Sequence, residues 1–195
     1  MIGQPFPEDP NWWAILVVLT ALPVIIWGAY RAISYVPRKP WSDEKPDPSL
    51  AGIDRWMCIL AMMVAAIPLR GAYVALESSQ VALSMATWRM YTSPDVTILR
   101  RIVPALLITD TIANLWLLAH GAVVVILFWK KKSSFPINFM ICAAFFLVIL
   151  YIENFIASLS LLQQVDNSLY ARYLWLGLWM IYVRTSRRVA ARFVN

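Results

Sequence analysis

The sequence predicts an all-α integral membrane protein with five transmembrane helices. One N-terminal helix precedes a four-helix bundle, with the N-terminus outside and the C-terminus cytoplasmic. Three observations carry this expectation. Of the 195 residues, 61% are hydrophobic and only 14% are charged, with a mean hydropathy of +0.63, whereas soluble domains carry about 25% charged residues. The apolar residues gather in blocks of bilayer-spanning length. The lysines and arginines punctuate those blocks, as the positive-inside rule places them. Strict two-residue alternation is absent, which argues for helices over barrel strands as the spanning elements.

The first block runs over 12–36. Before it stands MIGQPFPEDPN, with Glu8 and Asp9 but no basic residue, so residues 1–36 read as a retained transmembrane helix and not a secretory leader. Residues 37–52, PRKPWSDEKPDPSLAG, are rich in proline and charge and are expected to form a solvated cytoplasmic linker. Residues 53–195 form the four-helix membrane domain. Its blocks are 53–76, 104–129, 136–162 and a short aromatic segment, 169–183. An external loop, 78–103, separates the first two, and a short surface helix is expected within it.

With this orientation most of the 17 basic residues face the cytoplasm, including Lys130, Lys131, Lys132 and the tail arginines Arg184, Arg187, Arg188 and Arg192. The chain is expected to cross its membrane several times. A net charge of +6 could suggest a nucleic-acid partner, but the charges form no single stripe, and none is expected. The tail reads first as a topology anchor, with an anionic-lipid contact as the sharper alternative. Trp12, Trp13, Trp27, Trp129, Trp175 and Trp179 lie near block ends or in the short last block and read as an interfacial aromatic belt. Cys58 and Cys142 fall inside apolar blocks with no CxxC spacing. They are expected to be small buried residues without metal or redox chemistry.

Four stretches, AGIDRWMCILAMMVAAIPLR, TWRMYTSP, FWKKKSSFP and WMIYVRTSRRVAARFV, resemble bacterial inner-membrane proteins of domain-of-unknown-function family 2569. The pattern rests on Gly52, Ile53, Trp56, Pro68, Leu69 and Arg70 near the start. It closes on Tyr182, Ser186, Arg188, Val189, Phe193 and Val194. It covers about residues 50–194. The resemblance implies a four-helix inner-membrane domain and no particular activity, and it leaves the first helix and the linker outside.

Ionisable side chains inside spans are costly and mark sites. Those here are Arg70, Glu77, Asp110, His120 and Glu153. With a rise of about 1.5 Å per residue, Arg70 and Glu153 lie roughly 25 Å up from the inner ends of their helices, and Asp110 lies roughly 9 Å below an outer end. The three therefore share a level in the outer third and can pair, with Asn114 and Asn154 as interhelical bridges. Pro68 is expected to kink its helix and make room for Arg70. The cluster is either a packing device or a polar cavity in which one carboxylate lacks a full partner. His120, roughly 24 Å below Pro104, is the only histidine. It excludes a bis-histidine haem and reads as a packing residue or single ligand.

There is no GxSxG, HExxH or P-loop pattern. The expected function is therefore non-enzymatic, without cofactor or metal: an accessory or interaction subunit of a membrane complex. Its partners would be the lipid bilayer and other membrane subunits or a second copy of itself. The alternative is a transporter-like or small-ligand-binding protein using Arg70, Asp110 and Glu153.

Overall fold

The computed structural model describes residues 9–35, 55–159 and 169–193. The expected linker, Gly52 and Ile53, the far end of the fourth block and Val194 lie outside these residues. Among the described residues every regular element is helical: α1 (Trp12–Ser34), α2 (Arg55–Ala82), α3 (Met85–Thr92), a single 3-10 turn (Arg100–Ile102), α4 (Val103–Trp129), α5 (Phe135–Leu159), α6 (Leu169–Thr185) and α7 (Arg187–Arg192). Four segments are long and apolar enough to cross a membrane: Trp12–Ser34, Arg55–Ala82, Arg100–Trp129 and Phe135–Leu159. The sixth helix, at 17 residues, is shorter.

The second helix outruns its hydropathy. It continues past residue 76 to Ala82, and α3 follows almost at once, so much of the expected external loop is helical. The reason is packing. Leu60, Val64, Ile67, Gly71, Ala75 and Ala82 form a buried stripe at three-, four- and seven-residue spacing. Hydropathy marks only the apolar part of that stripe, while Glu77 sits on an exposed face. The helix also runs unbroken through Pro68.

The fourth helix is the hub. It packs against α1, α2 and α5, and it buries residues around most of its circumference, from Val103 to Phe128. Its contact with α2 is backbone on backbone. A Cβ on Gly71 would lie 2.8 Å from the Leu118 nitrogen and 3.0 Å from the Asn114 carbonyl oxygen. One on Gly121 would meet the Pro68 ring at 3.1 Å. Small residues allow this approach, and in a membrane such packing replaces the hydrophobic drive as the source of association.

The first helix is tied in at its start. Asn11 caps it, its side chain accepting from the Trp13 and Ala14 nitrogens. The Asn11 N–H donates to the Leu83 carbonyl at 2.7 Å, and the Met85 N–H donates to the Asp9 carbonyl at 2.8 Å. Residues 9–11 thus clasp residues 83–85, and Trp88 closes the corner by donating from Nε1 to the Ala82 carbonyl. Ala14, Ala82 and Ile108 share one buried cluster beneath.

The opposite end is closed by aromatics. Trp56 of α2 packs edge-on to Trp179 of α6, with centroids 6.4 Å apart. Trp179 is only 3% exposed, so it belongs to the core and not to the aromatic belt. Trp12, Trp13, Trp27 and Trp129 do lie on the outside of the bundle. Cys142 is buried, but Cys58 is exposed on α2, a correction to its expected burial. Its neighbour Met57 takes the inward position instead. The basic tail also does more than trail in solvent. Ser186 caps α7, Val189 and Phe193 are buried, and Phe193 stacks on Phe135 at 4.2 Å.

Two glycine substitutions separate the contact with α4 from ordinary helix chemistry. Gly71→Ala should destabilise the protein by about 1–3 kcal/mol through overpacking against backbone. Gly28→Ala, with nothing within 4 Å of its Cβ position, should leave the thermal midpoint in detergent unchanged or slightly raised.

Candidate functional site

Three helices build the polar site, and the glycine contact sets its position. Because Gly71 brings α2 onto α4, the neighbouring Arg70 lies on the flank of α2 that faces α5. Its guanidinium stands 4.7 Å from the Phe146 ring centroid. Phe146 and Glu153 are seven residues apart on α5, two turns on one face. Arg70 Nη2 donates to Glu153 Oε2 at 2.5 Å, and Nη1 donates to Asn114 Oδ1 at 3.4 Å.

Asn114 is the connector. It is fully buried, and its amide nitrogen donates to the Asp110 carbonyl at 3.0 Å, to Asp110 Oδ1 at 3.1 Å and to Glu153 Oε1 at 3.5 Å. One amide thus bridges two carboxyl groups and receives the guanidinium. Asp110 is itself buried. Among the described residues its only side-chain ties are to Asn114 and Ser78. The Ser78 hydroxyl also lies 3.0 Å from that of Thr111, so α2 and α4 are stitched on both sides of Asp110.

The depth expectation needs one adjustment. Since α2 extends to Ala82, Arg70 lies about 22 Å from one end and about 18 Å from the other, nearer mid-helix than expected. Glu153 and Asp110 lie within about 10 Å of the ends of their helices nearest the clasp. The length of the arginine side chain spans the difference.

Not every expected member joins. Asn154 follows Glu153 on α5, is half-buried, and makes no hydrogen bond to the cluster. One residue along a helix turns the side chain about 100° away. His120 lies less than two turns from Asn114 on α4, buried and stacked on Trp116 at 4.5 Å. Its Nε2 has no hydrogen-bond partner among the described residues, while the ring also lies within hydrogen-bonding reach of the Asn138 backbone on α5. No group of three potential metal-ligating side chains is present among the described residues.

Two features escaped the sequence reading. Phe146 was legible as the residue two turns before Glu153. Tyr173 of α6 was not. Its hydroxyl is buried without a hydrogen-bond partner among the described residues and lies near Glu153 and Tyr151. Only the packing of α6 on α5 brings it there.

The network makes a sign prediction. Arg70→Leu strands both carboxyls and should be strongly destabilising. Breaking a fully buried pair costs about 3–5 kcal/mol, and this pair should cost less because its side chains are 24% and 22% exposed. Arg70→Leu combined with Glu153→Leu should recover part of that loss. A double-mutant cycle on thermal midpoints in detergent measures the difference.

Comparison with curated proteins and with solved structures returned no match. A family model described as a protein of unknown function, DUF2569, matches residues 50–194. That span runs from just before α2 to the residue after Phe193, so it takes in Arg70, Asp110, Asn114 and Glu153 and leaves out α1. On a match of this extent, the chain belongs to the DUF2569 family.

Proposed function

We propose that this chain is a five-span protein of the bacterial inner membrane that works as an accessory or interaction subunit, the N-terminus outside and the C-terminus cytoplasmic. The observation that carries this reading is the exposure of the ion pair. Arg70 and Glu153 keep 24% and 22% of their side chains accessible, on helices apolar enough to lie in a bilayer. Charge facing hydrocarbon is expensive. A helix from another subunit, or from a second copy, relieves that cost by covering the pair.

Two further points support the topology. The sixth helix runs beside α5, from Tyr173 near Glu153 to Tyr182 near Trp56, and its length of about 26 Å approaches the roughly 30 Å of a hydrocarbon core. The basic residues concentrate at the end opposite the clasp, which the positive-inside rule assigns to the cytoplasm. The absence of a catalytic motif from the sequence favours a non-enzymatic role.

A second reading, a transporter-like or small-ligand site, rests on a different observation. One guanidinium serves two carboxyl groups, and Asp110 reaches it only through Asn114. A proton or a cationic ligand would balance the remaining charge.

Purification of the full chain from its native host in mild detergent distinguishes these. The accessory reading expects a stoichiometric membrane partner or a dimer, lost in the folded Arg70→Leu, Glu153→Leu variant. Recovery of the chain alone at monomer mass counts against it. The second reading expects Asp110→Asn and Glu153→Gln each to reduce proton or solute flux in vesicles at least tenfold, and unchanged flux in both would sink it.

A further inference from the structure

The two carboxyl groups of the polar site are supplied with hydrogens in different ways. Glu153 faces the Arg70 guanidinium, which donates to Oε2 and is not deprotonated in a protein. Asp110 has no such permanent donor. Its Oδ1 takes a hydrogen from the Asn114 amide at 3.1 Å, but the same nitrogen also lies 3.0 Å from the Asp110 carbonyl oxygen and 3.5 Å from Glu153 Oε1. An amide nitrogen carries two hydrogens, so three acceptors share them. Asp110 is 5% exposed, so bulk water does little to make up the shortfall.

The second neighbour of the Asp110 side chain is the Ser78 hydroxyl of α2, and it belongs to a chain. Ser78 Oγ lies 3.0 Å from Thr111 Oγ1, and Thr111 Oγ1 lies 2.9 Å from the Leu107 carbonyl oxygen. Each hydroxyl has one hydrogen to give and lone pairs to accept with. When Thr111 donates to Leu107, Ser78 donates to Thr111 and turns a lone pair to Asp110. Only a protonated carboxyl can use that lone pair, by donating to it. When both hydroxyls turn round, Thr111 donates to Ser78 and Ser78 donates to Asp110, an arrangement that serves a carboxylate. The Leu107 carbonyl keeps its backbone bond in either case. The same heavy atoms therefore satisfy both protonation states of Asp110, whereas packing alone needs just one of the two directions.

Among the described residues, the charged groups that act on Asp110 are Glu153 from α5 and Arg70 from α2, with none from α1, α3 or α6. Glu77 of α2 lies exposed, and Arg89 of α3 pairs with Asp9.

We propose that Asp110 is a reversible proton-binding site, with Ser78 and Thr111 as paired rotors that turn each time the proton arrives or leaves. The site rests on the second reading above and narrows it: the ligand is the proton, the carboxyl that holds it is Asp110, and Glu153 stays the permanent counter-ion of Arg70. On binding, an electron pair of the carboxylate takes a proton from the aqueous phase. On release the proton returns to water. The hydroxyl hydrogens turn about their C–O bonds and stay on their oxygens.

The test follows the full chain in phosphatidylcholine vesicles by infrared difference spectroscopy, as pH is stepped over the range in which the chain stays folded. The native spectrum should show the C=O band of a buried protonated carboxyl that disappears reversibly on alkalinisation, and Asp110→Asn should remove it. Glu153→Gln should keep the band and weaken proton binding about tenfold, since it removes a neighbouring negative charge and leaves Arg70 to favour the carboxylate. Ser78→Ala should move the band to higher frequency, as the carboxyl loses a hydrogen-bond partner. It should also tighten proton binding about tenfold, because the carboxylate loses the stronger, charge-assisted bond. Ser79→Ala, whose hydroxyl bonds the Leu76 carbonyl, should change neither. Should Asp110→Asn fail to fold, the shifts in Ser78→Ala and Glu153→Gln assign the band. A spectrum with no titrating buried carboxyl, a band that survives Asp110→Asn, or one that Ser78→Ala leaves unmoved would each overturn the proposal. Flux measured on the same vesicles separates the two ideas. A titrating Asp110 with flux unchanged in Asp110→Asn removes the transport reading and keeps the proton site, and flux that depends on Asp110 without a titrating band does the reverse.

Discussion

The approach of α2 to α4 at Gly71 governs the rest of the bundle. A methyl group there would press on the Leu118 nitrogen and the Asn114 carbonyl, so only glycine lets the two backbones meet. Arg70 follows from that contact, since its neighbour fixes which flank of α2 it occupies. Asn114 follows too, since its backbone is part of the same contact and its side chain then sits between two carboxyl groups. In lipid the reward for such packing is van der Waals contact plus the pairing of groups that hydrocarbon would leave unsatisfied. Both come from one pair of helices here, and α5 completes the site by adding Glu153 and Phe146.

Much of the site was legible because α-helical rise converts sequence position into depth. Arg70, Asp110 and Glu153 could be assigned to a common level from block boundaries alone, and the structure brings those three together with Asn114. Rise gives level but not azimuth, which is why Asn154 could be expected beside Glu153 when it faces elsewhere. The end of α2 was not legible from hydropathy, because its last turns are held by Ala75 and Ala82 against neighbours and not by lipid. Trp179 shows the same limit. A tryptophan near a block end serves a belt or a core equally well, and the choice depends on where Trp56 lies. For α7 the signal was in plain view as Val189 and Phe193 spaced within a basic tail, but the charge around them masked it.

The two ends of the bundle are held by different physics. At the clasp end, backbone hydrogen bonds join separate chain segments. At the basic end, rings of Phe128, Phe135 and Phe193 do so through packing. Backbone pairing is directional and sets register, whereas packed rings tolerate small shifts and can carry charged side chains at their edges. The directional end holds the helix termini nearest the polar cluster, the start of α4 and the ends of α2 and α5.

The clasp between residues 9–11 and 83–85 has a consequence for the order in which this chain is made. Residue 11 is synthesised 72 residues ahead of Leu83, so its carbonyl acceptor does not exist until α2 has been made. The Asn11 N–H and the Asp9 carbonyl must therefore wait, solvated, while α1 and then α2 enter the bilayer. Closure requires both segments to stand on the same side of the membrane. Failure of either helix to cross would leave residue 9 and residue 85 on opposite faces, and neither bond could form. Closure of the clasp therefore requires that both crossings, or neither, have been made.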